Sequence, residues 1–179
     1  VAPQEQLLGT MAGNRRLSIG LPAEHNGGEK RFPLTPEGVA LLTKEGYRVF
    51  VESGAGEGIK YSDLHYTEAG AQATTASEVF RCDVVLKITP LNEQEAAMIR
   101  PGVFLLTLLQ PQYQSASVVR ILMQKKVTAV AIDLITDERG RYLFADILDE
   151  IDGRAAIVLA SELLSNRSGG KGVLLGGMP

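Results

Sequence analysis

Three side chains in this 179-residue sequence are of a type, and in a setting, to do chemistry on a small carbonyl or carboxylate compound. Lys87 lies inside Val84-Val85-Leu86-Lys87-Ile88-Thr89-Pro90, an otherwise apolar run. A lysine in such a strand is costly unless its ammonium reaches a partner or the open end of a sheet. Placed there, it can hydrogen-bond a carbonyl and stabilise negative charge developing on the oxygen. Arg31 stands in Glu29-Lys30-Arg31-Phe32-Pro33-Leu34-Thr35-Pro36, just ahead of a helix start. Its planar fork and the helix N-terminus could together hold a carboxylate; the plainer alternative is a solvated arginine in a charged loop. Gln110, in Leu108-Leu109-Gln110-Pro111-Gln112, follows another apolar run. Its amide can orient a ligand but cannot shuttle a proton at neutral pH, and it reads equally as a turn residue before proline.

Other chemistry-bearing residues carry less. Cys82 is the only cysteine, so an internal disulfide and a multi-cysteine metal site are excluded; with no visible base beside it, it reads as a small buried residue. His25 and His65 are forty residues apart with no evident carboxylate partner, which speaks against a metal site or a serine triad, and no metal is expected. Gly169-Gly170-Lys171-Gly172 lacks the phosphate-loop spacing and reads as a hinge. Asp146, Asp149, Glu150 and Asp152 cluster near the start of a long helix, where the macrodipole favours them.

These candidates need a scaffold. With 45% apolar and 22% charged residues, the chain can bury an ordinary core. A net charge of -3 with both signs interspersed offers no basic face for nucleic acid, and no run approaches the ~20 apolar residues of a membrane span. Apolar runs at 17–21, 48–52, 84–88, 103–108 and 127–132 read as five strands, separated by helical patterns at 35–46, 62–70, 76–81, 92–99 and 115–124. Pro36 and Gly46 punctuate the first helix, for which Thr35 offers a capping hydroxyl. In the last of them Val118, Val119, Leu122 and Met123 should point inward. The alternation predicts a doubly wound α/β fold, a mostly parallel, three-layer sheet of the flavodoxin or Rossmann kind. All three candidate side chains fall where strands give way to loops at the carboxyl edge, the place where such sheets bind ligands. After Asp133 comes a turn at 137–140, then a long helix over 147–164 and a glycine-rich stretch. We therefore expect a polar lead-in at 1–14, a substrate-binding α/β domain at 15–165 and a hinge at 166–179.

Six pieces, in order, carry a resemblance: Ile19-Gly20-Leu21-Pro22-Ala23-Glu24; Arg31 with Thr35-Pro36 and Gly38-Val39; Val51-Glu52-Ser53-Gly54-Ala55-Gly56; Ala69-Gly70-Ala71; Asp83-Val84-Val85-Leu86-Lys87; and Gly169 through Pro179. From about Leu17 onward the chain resembles the N-terminal domain of the alanine dehydrogenase and nicotinamide nucleotide transhydrogenase family, and within it looks more like alanine dehydrogenase. The resemblance implies a partial chain that lacks the family's NAD-binding Rossmann domain. It implies a cytoplasmic, oligomeric oxidoreductase that reversibly deaminates L-alanine or a related amino acid to the 2-oxo acid and ammonium, with NAD as cofactor. It also implies the roles: Arg31 on the substrate carboxylate, Lys87 as catalytic and substrate-binding group at the carbonyl or imine centre, and Gln110 also at the substrate. Leu148 and Asp149 are the chain's candidates for cofactor contact. Two positions depart from alanine dehydrogenases: Gln110 stands where they carry a histidine used in proton transfer, and Asp149 replaces a serine. The alternatives are a transhydrogenase alpha-subunit domain, or a non-catalytic binding or regulatory relative.

Overall fold

The structure, a computed structural model, describes residues 16–25, 28–110 and 114–175. It falls into two compact units, Val1–Ile132 and Asp133–Pro179.

The first unit is a parallel sheet wound with helices. Its elements are β1 (Ser18–Leu21), α1 (Pro36–Lys44), β2 (Arg48–Glu52), α2 (Asp63–Glu68), β3 (Gln72–Thr74), α3 (Ala76–Val79), β4 (Val84–Leu86), α4 (Glu93–Met98), β5 (Phe104–Thr107), α5 (Ala116–Gln124) and β6 (Thr128–Ala131), with a short 3-10 turn at Glu57–Ile59. The strands lie in the order β3-β2-β1-β4-β5-β6, every pairing parallel. The predicted fold class is therefore observed, in the strand order of dinucleotide-binding domains, and the winding reverses between β1 and β4. At that switch point Ile19 registers with Val84 and Gly20 with Val85, so residues just past β1 and just past β4 meet at one mouth.

Three expectations need correction. The sheet has six strands rather than five: β3 is a three-residue edge strand whose side chains are exposed or half-buried, and it shows none of the apolar alternation that marks a covered strand. On α5 only Val118 and Leu122 are buried, while Val119 and Met123 are exposed. Residues four apart share a face, and their neighbours one place on turn away from it. Thr35 occupies the cap position of α1 but its hydroxyl does not cap. Its polar side chain instead favours the ionised form of Glu37, helping to hold that carboxyl below its usual range.

The core lies in two clusters. Val85, Val103, Leu105, Val118 and Leu122 belong to one, and Leu21, Val39, Val49, Val51 and Tyr66 to the other. Gly20 shows how tightly α3 sits on β1, because a Cβ there would lie 2.3 Å from the Val79 carbonyl oxygen. Backbone cannot yield as a flexible side chain does, so Gly20→Ala is expected to destabilise the full-length protein by roughly 1–3 kcal/mol. Urea unfolding measures this, and a loss under about 0.5 kcal/mol would show that helix and strand part freely. At the amino edge of β1 and β4, Asp83 accepts hydrogen bonds from the Ser18 amide (2.9 Å) and hydroxyl (2.7 Å) and from Arg100 (2.9 Å). Next to it Cys82 is buried, and burial pushes its thiol up to about 11, which fits the reading of an inert core residue.

In the second unit, Thr136 bridges antiparallel to Tyr142 around a turn in which Asp137 accepts from the Arg139 and Arg141 amides. Helix α6 (Ala145–Leu164) follows, two residues longer at its start than the sequence pattern suggests. None of its residues is buried, and Ile147, Ile151, Val158 and Leu163 are all exposed. Leu148 is half-buried and Asp149 exposed on its second turn. Among the described residues no helix is long and apolar enough to cross a membrane.

Candidate functional site

The loop that joins β1 to α1 lines one part of a cleft, and the end of β2 with the loop after it lines the rest. The cleft measures about 250 Å³ and is lined by Ala23, Glu24, His25, Glu29, Lys30, Arg31, Glu52, Ser53, Gly54, Ala55 and Gly58. Local packing fixes the arginine-bearing loop. Phe32, buried, meets the ring of Tyr66 edge-on at 5.8 Å, and the Tyr66 hydroxyl donates to the Leu34 carbonyl at 2.8 Å. Burial of that phenol pushes its pKa up to about 12, so it stays a donor at any physiological pH. Gly58 lets the 3-10 turn close onto the Lys30 backbone, where a Cβ would lie 2.7 Å from the Lys30 carbonyl oxygen.

Arg31 is half-exposed on the cleft wall and grips Glu29 bidentately, through Nε at 3.0 Å and a terminal nitrogen at 2.7 Å. Those hydrogen bonds hold the Glu29 carboxyl below its usual range. The fork is thus already shaped to a carboxylate.

Lys87 ends the run of β4 and is fully buried. Its ammonium donates to Glu24 Oε2 and to Thr89 Oγ1, each at 2.7 Å, with Glu95 Oε1 at 3.6 Å. Glu24 is 3% exposed and also accepts from the Ile88 amide (2.6 Å), the Thr89 amide (3.1 Å) and the Thr89 hydroxyl. The lysine therefore has the partner that its strand position demands, and that partner, unlike Lys87 itself, lines the cleft. Gln110 lies at the same sheet edge but is not among the lining residues; it is exposed, with φ +41°. Pro111 and Gln112, the rest of its motif, fall outside the described residues.

The sequence reading missed Glu24, Glu29, Thr89 and Glu95, and it missed the carboxylate beside His25. That partner is Glu52, 3.5 Å from the imidazole, whose other oxygen accepts from the Ala23 amide at 2.8 Å. Only the strand order brings residue 52 next to residue 25. Among the described residues no three His, Cys, Asp or Glu gather in a way that could hold a metal ion.

The strand order invites a dinucleotide, but the residues around the cleft at this sheet edge do not fit one. A pyrophosphate there needs a glycine-rich turn and backbone donors at a helix N-terminus. This chain places Pro22, Ala23 and the carboxylate of Glu24 after β1, with Glu52 and Glu29 beside them. A small anion held by Arg31 suits the cleft; a diphosphate would meet three carboxylates.

The pattern of the family described as "Alanine dehydrogenase/PNT, N-terminal domain" matches residues 20–146. The chain belongs to this family. It is 32% identical over 165 residues to an alanine dehydrogenase of Geobacillus stearothermophilus, covering 91% of this chain and 44% of that one. Among solved structures, an L-alanine dehydrogenase superposes with a TM-score of 0.85 at 29% identity, covering 91% of this chain and 45% of the other. A transhydrogenase from Sinorhizobium meliloti gives 0.63 at 28% identity, over 68% of this chain and 37% of the other. The chain spans less than half the length of these relatives.

Proposed function

We propose that this chain is the substrate-binding part of an amino-acid dehydrogenase of the alanine dehydrogenase type, which reversibly deaminates L-alanine or a related amino acid to its 2-oxo acid and ammonium. One observation carries this reading: a cleft over the carboxyl ends of β1 and β2, beside the switch point, presents a carboxylate-shaped arginine, and behind a single glutamate stands a buried ammonium. Arg31 exchanges Glu29 for the substrate carboxylate, which fixes the substrate's orientation by a two-point contact. Lys87 faces the reacting carbon's oxygen or nitrogen and stabilises negative charge there. Gln110, at the same edge, orients the substrate and moves no proton.

NAD, the cofactor of the proposed reaction, does not fit this cleft and would be held by sequence that follows the 166–179 hinge, with Leu148 and Asp149 as the contacts this chain could add. The same reading makes the protein a cytoplasmic homo-oligomer. The test is NADH oxidation by the full-length protein with pyruvate and ammonium, beside a panel of other 2-oxo acids. Turnover with pyruvate is expected, and turnover only with another acid would rename the substrate within the same class. No turnover with any acid would overturn the proposal in favour of transhydrogenation or a non-catalytic role.

A further inference from the structure

Lys87 is held between two carboxylates that come from different elements and do different things. Glu24, after β1, bonds the ammonium directly and lines the cleft. Glu95, on α4, is 4% exposed and does not line the cleft. Its Oε2 accepts from the Asn92 amide at 2.9 Å, while the Glu95 amide donates to the Asn92 side chain, also at 2.9 Å, which together close a capping box. The box leaves Oε1 over. That oxygen is buried, has no hydrogen-bond partner among the described residues, and faces the Lys87 ammonium at 3.6 Å. A buried carboxylate oxygen is rarely left so.

The ammonium is fully buried behind Glu24, so a ligand in the cleft can reach it only if the Glu24 carboxylate gives way. A lysine ammonium left without a counter-charge in that interior would be strongly disfavoured. Among the described residues Glu95 is the other carboxylate within ion-pair distance.

We propose that Glu95 is a positioning residue for Lys87, taking up the ammonium through its spare oxygen as Glu24 yields to the ligand. This rests on the dehydrogenase reading above. It assigns to a helix-capping glutamate a second task, holding the Lys87 ammonium in place in the occupied site.

The two tasks separate by mutation. Glu95→Gln in the full-length protein keeps the shape and an acceptor for the Asn92 amide but removes the charge. Asn92→Ala removes the side-chain half of the cap and leaves the backbone amide that orients Glu95. The expected result is that E95Q lowers kcat/KM for the 2-oxo acid by about tenfold or more with little change in Tm, whereas N92A lowers Tm and leaves kcat/KM within about twofold. Glu95→Asp, which retains the carboxylate, should stand well above E95Q in kcat/KM, and it decides the matter if E95Q does not fold. Wild-type kcat/KM in E95Q, activity that merely follows Tm across the three variants, or E95D no better than E95Q would each overturn the assignment while leaving the dehydrogenase reading intact. No turnover by the wild type with any 2-oxo acid would overturn that reading and this inference together.

Discussion

Lys87→Met in the full-length protein is expected to lose at least about 10²–10³ in kcat/KM, the scale found when one preorganised donor to a developing negative charge is removed. It should lose stability as well. Methionine fills much of the same space, so packing is not the main cost. The variant strands Glu24 and Glu95, both almost wholly buried, without the cation between them. Removing one partner of a buried ion pair costs about 3–5 kcal/mol, because the remaining charge stays uncompensated. Steady-state kinetics and urea unfolding read the two effects separately. Adding Glu95→Gln to K87M should restore part of the stability and none of the activity, since it neutralises a stranded carboxylate while keeping the acceptor for the Asn92 amide, and leaves the donor missing. A K87M protein with wild-type kcat/KM would remove Lys87 from the chemistry altogether.

The second large effect belongs to Arg31. Arg31→Ala should raise KM for the 2-oxo acid by about 30-fold or more, equivalent to roughly 2 kcal/mol, with a smaller change in kcat. Arg31→Lys should recover little, because an ammonium cannot reproduce the two parallel hydrogen bonds now made to Glu29. The pH dependence offers an independent check. Glu29 is held below its usual range chiefly by the Arg31 side-chain hydrogen bonds. A carboxyl depressed in the folded state contributes stability above its unfolded pKa, and that contribution fades as pH falls through the folded value. R31A should lack this acid-side loss and titrate Glu29 closer to the ordinary range, which side-chain carboxyl NMR would record. Unchanged substrate affinity in R31A would sink the proposed carboxylate clamp.

The scaffold was legible because its signals are local. Pro36 and Gly46 bracket α1, and β2 spans 48–52 as its apolar pattern indicates. β3 was not legible, since an edge strand of Gln72, Ala73 and Thr74 needs neither alternation nor branched side chains to pair. At the site the same division holds. Lys87 announces itself by being charged within an apolar run, and Arg31 by preceding a helix start. Glu24 and Glu52 are ordinary loop and strand glutamates until the strand order sets β1 between β2 and β4, and Glu95 is an ordinary helix glutamate until the β4–α4 connection sets it beside Lys87. Their partners lie 63, 27 and 8 residues away in sequence, at Lys87, His25 and Lys87 respectively. What chain periodicity reports is which face is covered; which charges meet is a property of topology.

Cys82 gives the molecule a clock of its own. It is the sole cysteine, it sits at the edge of the sheet away from the cleft, and its raised pKa leaves almost no thiolate to react while it stays buried. Labelling by a thiol reagent must therefore wait for an opening that uncovers Cys82, whose thiol bonds the Glu78 carbonyl and which adjoins the Ser18–Asp83–Arg100 cluster. The labelling rate then reports how often this edge of the fold opens, without any inserted probe. A ligand that binds only the closed cleft should slow that rate in proportion to its occupancy, so affinity for a candidate acid can be read from one sulfur atom at the opposite edge of the sheet.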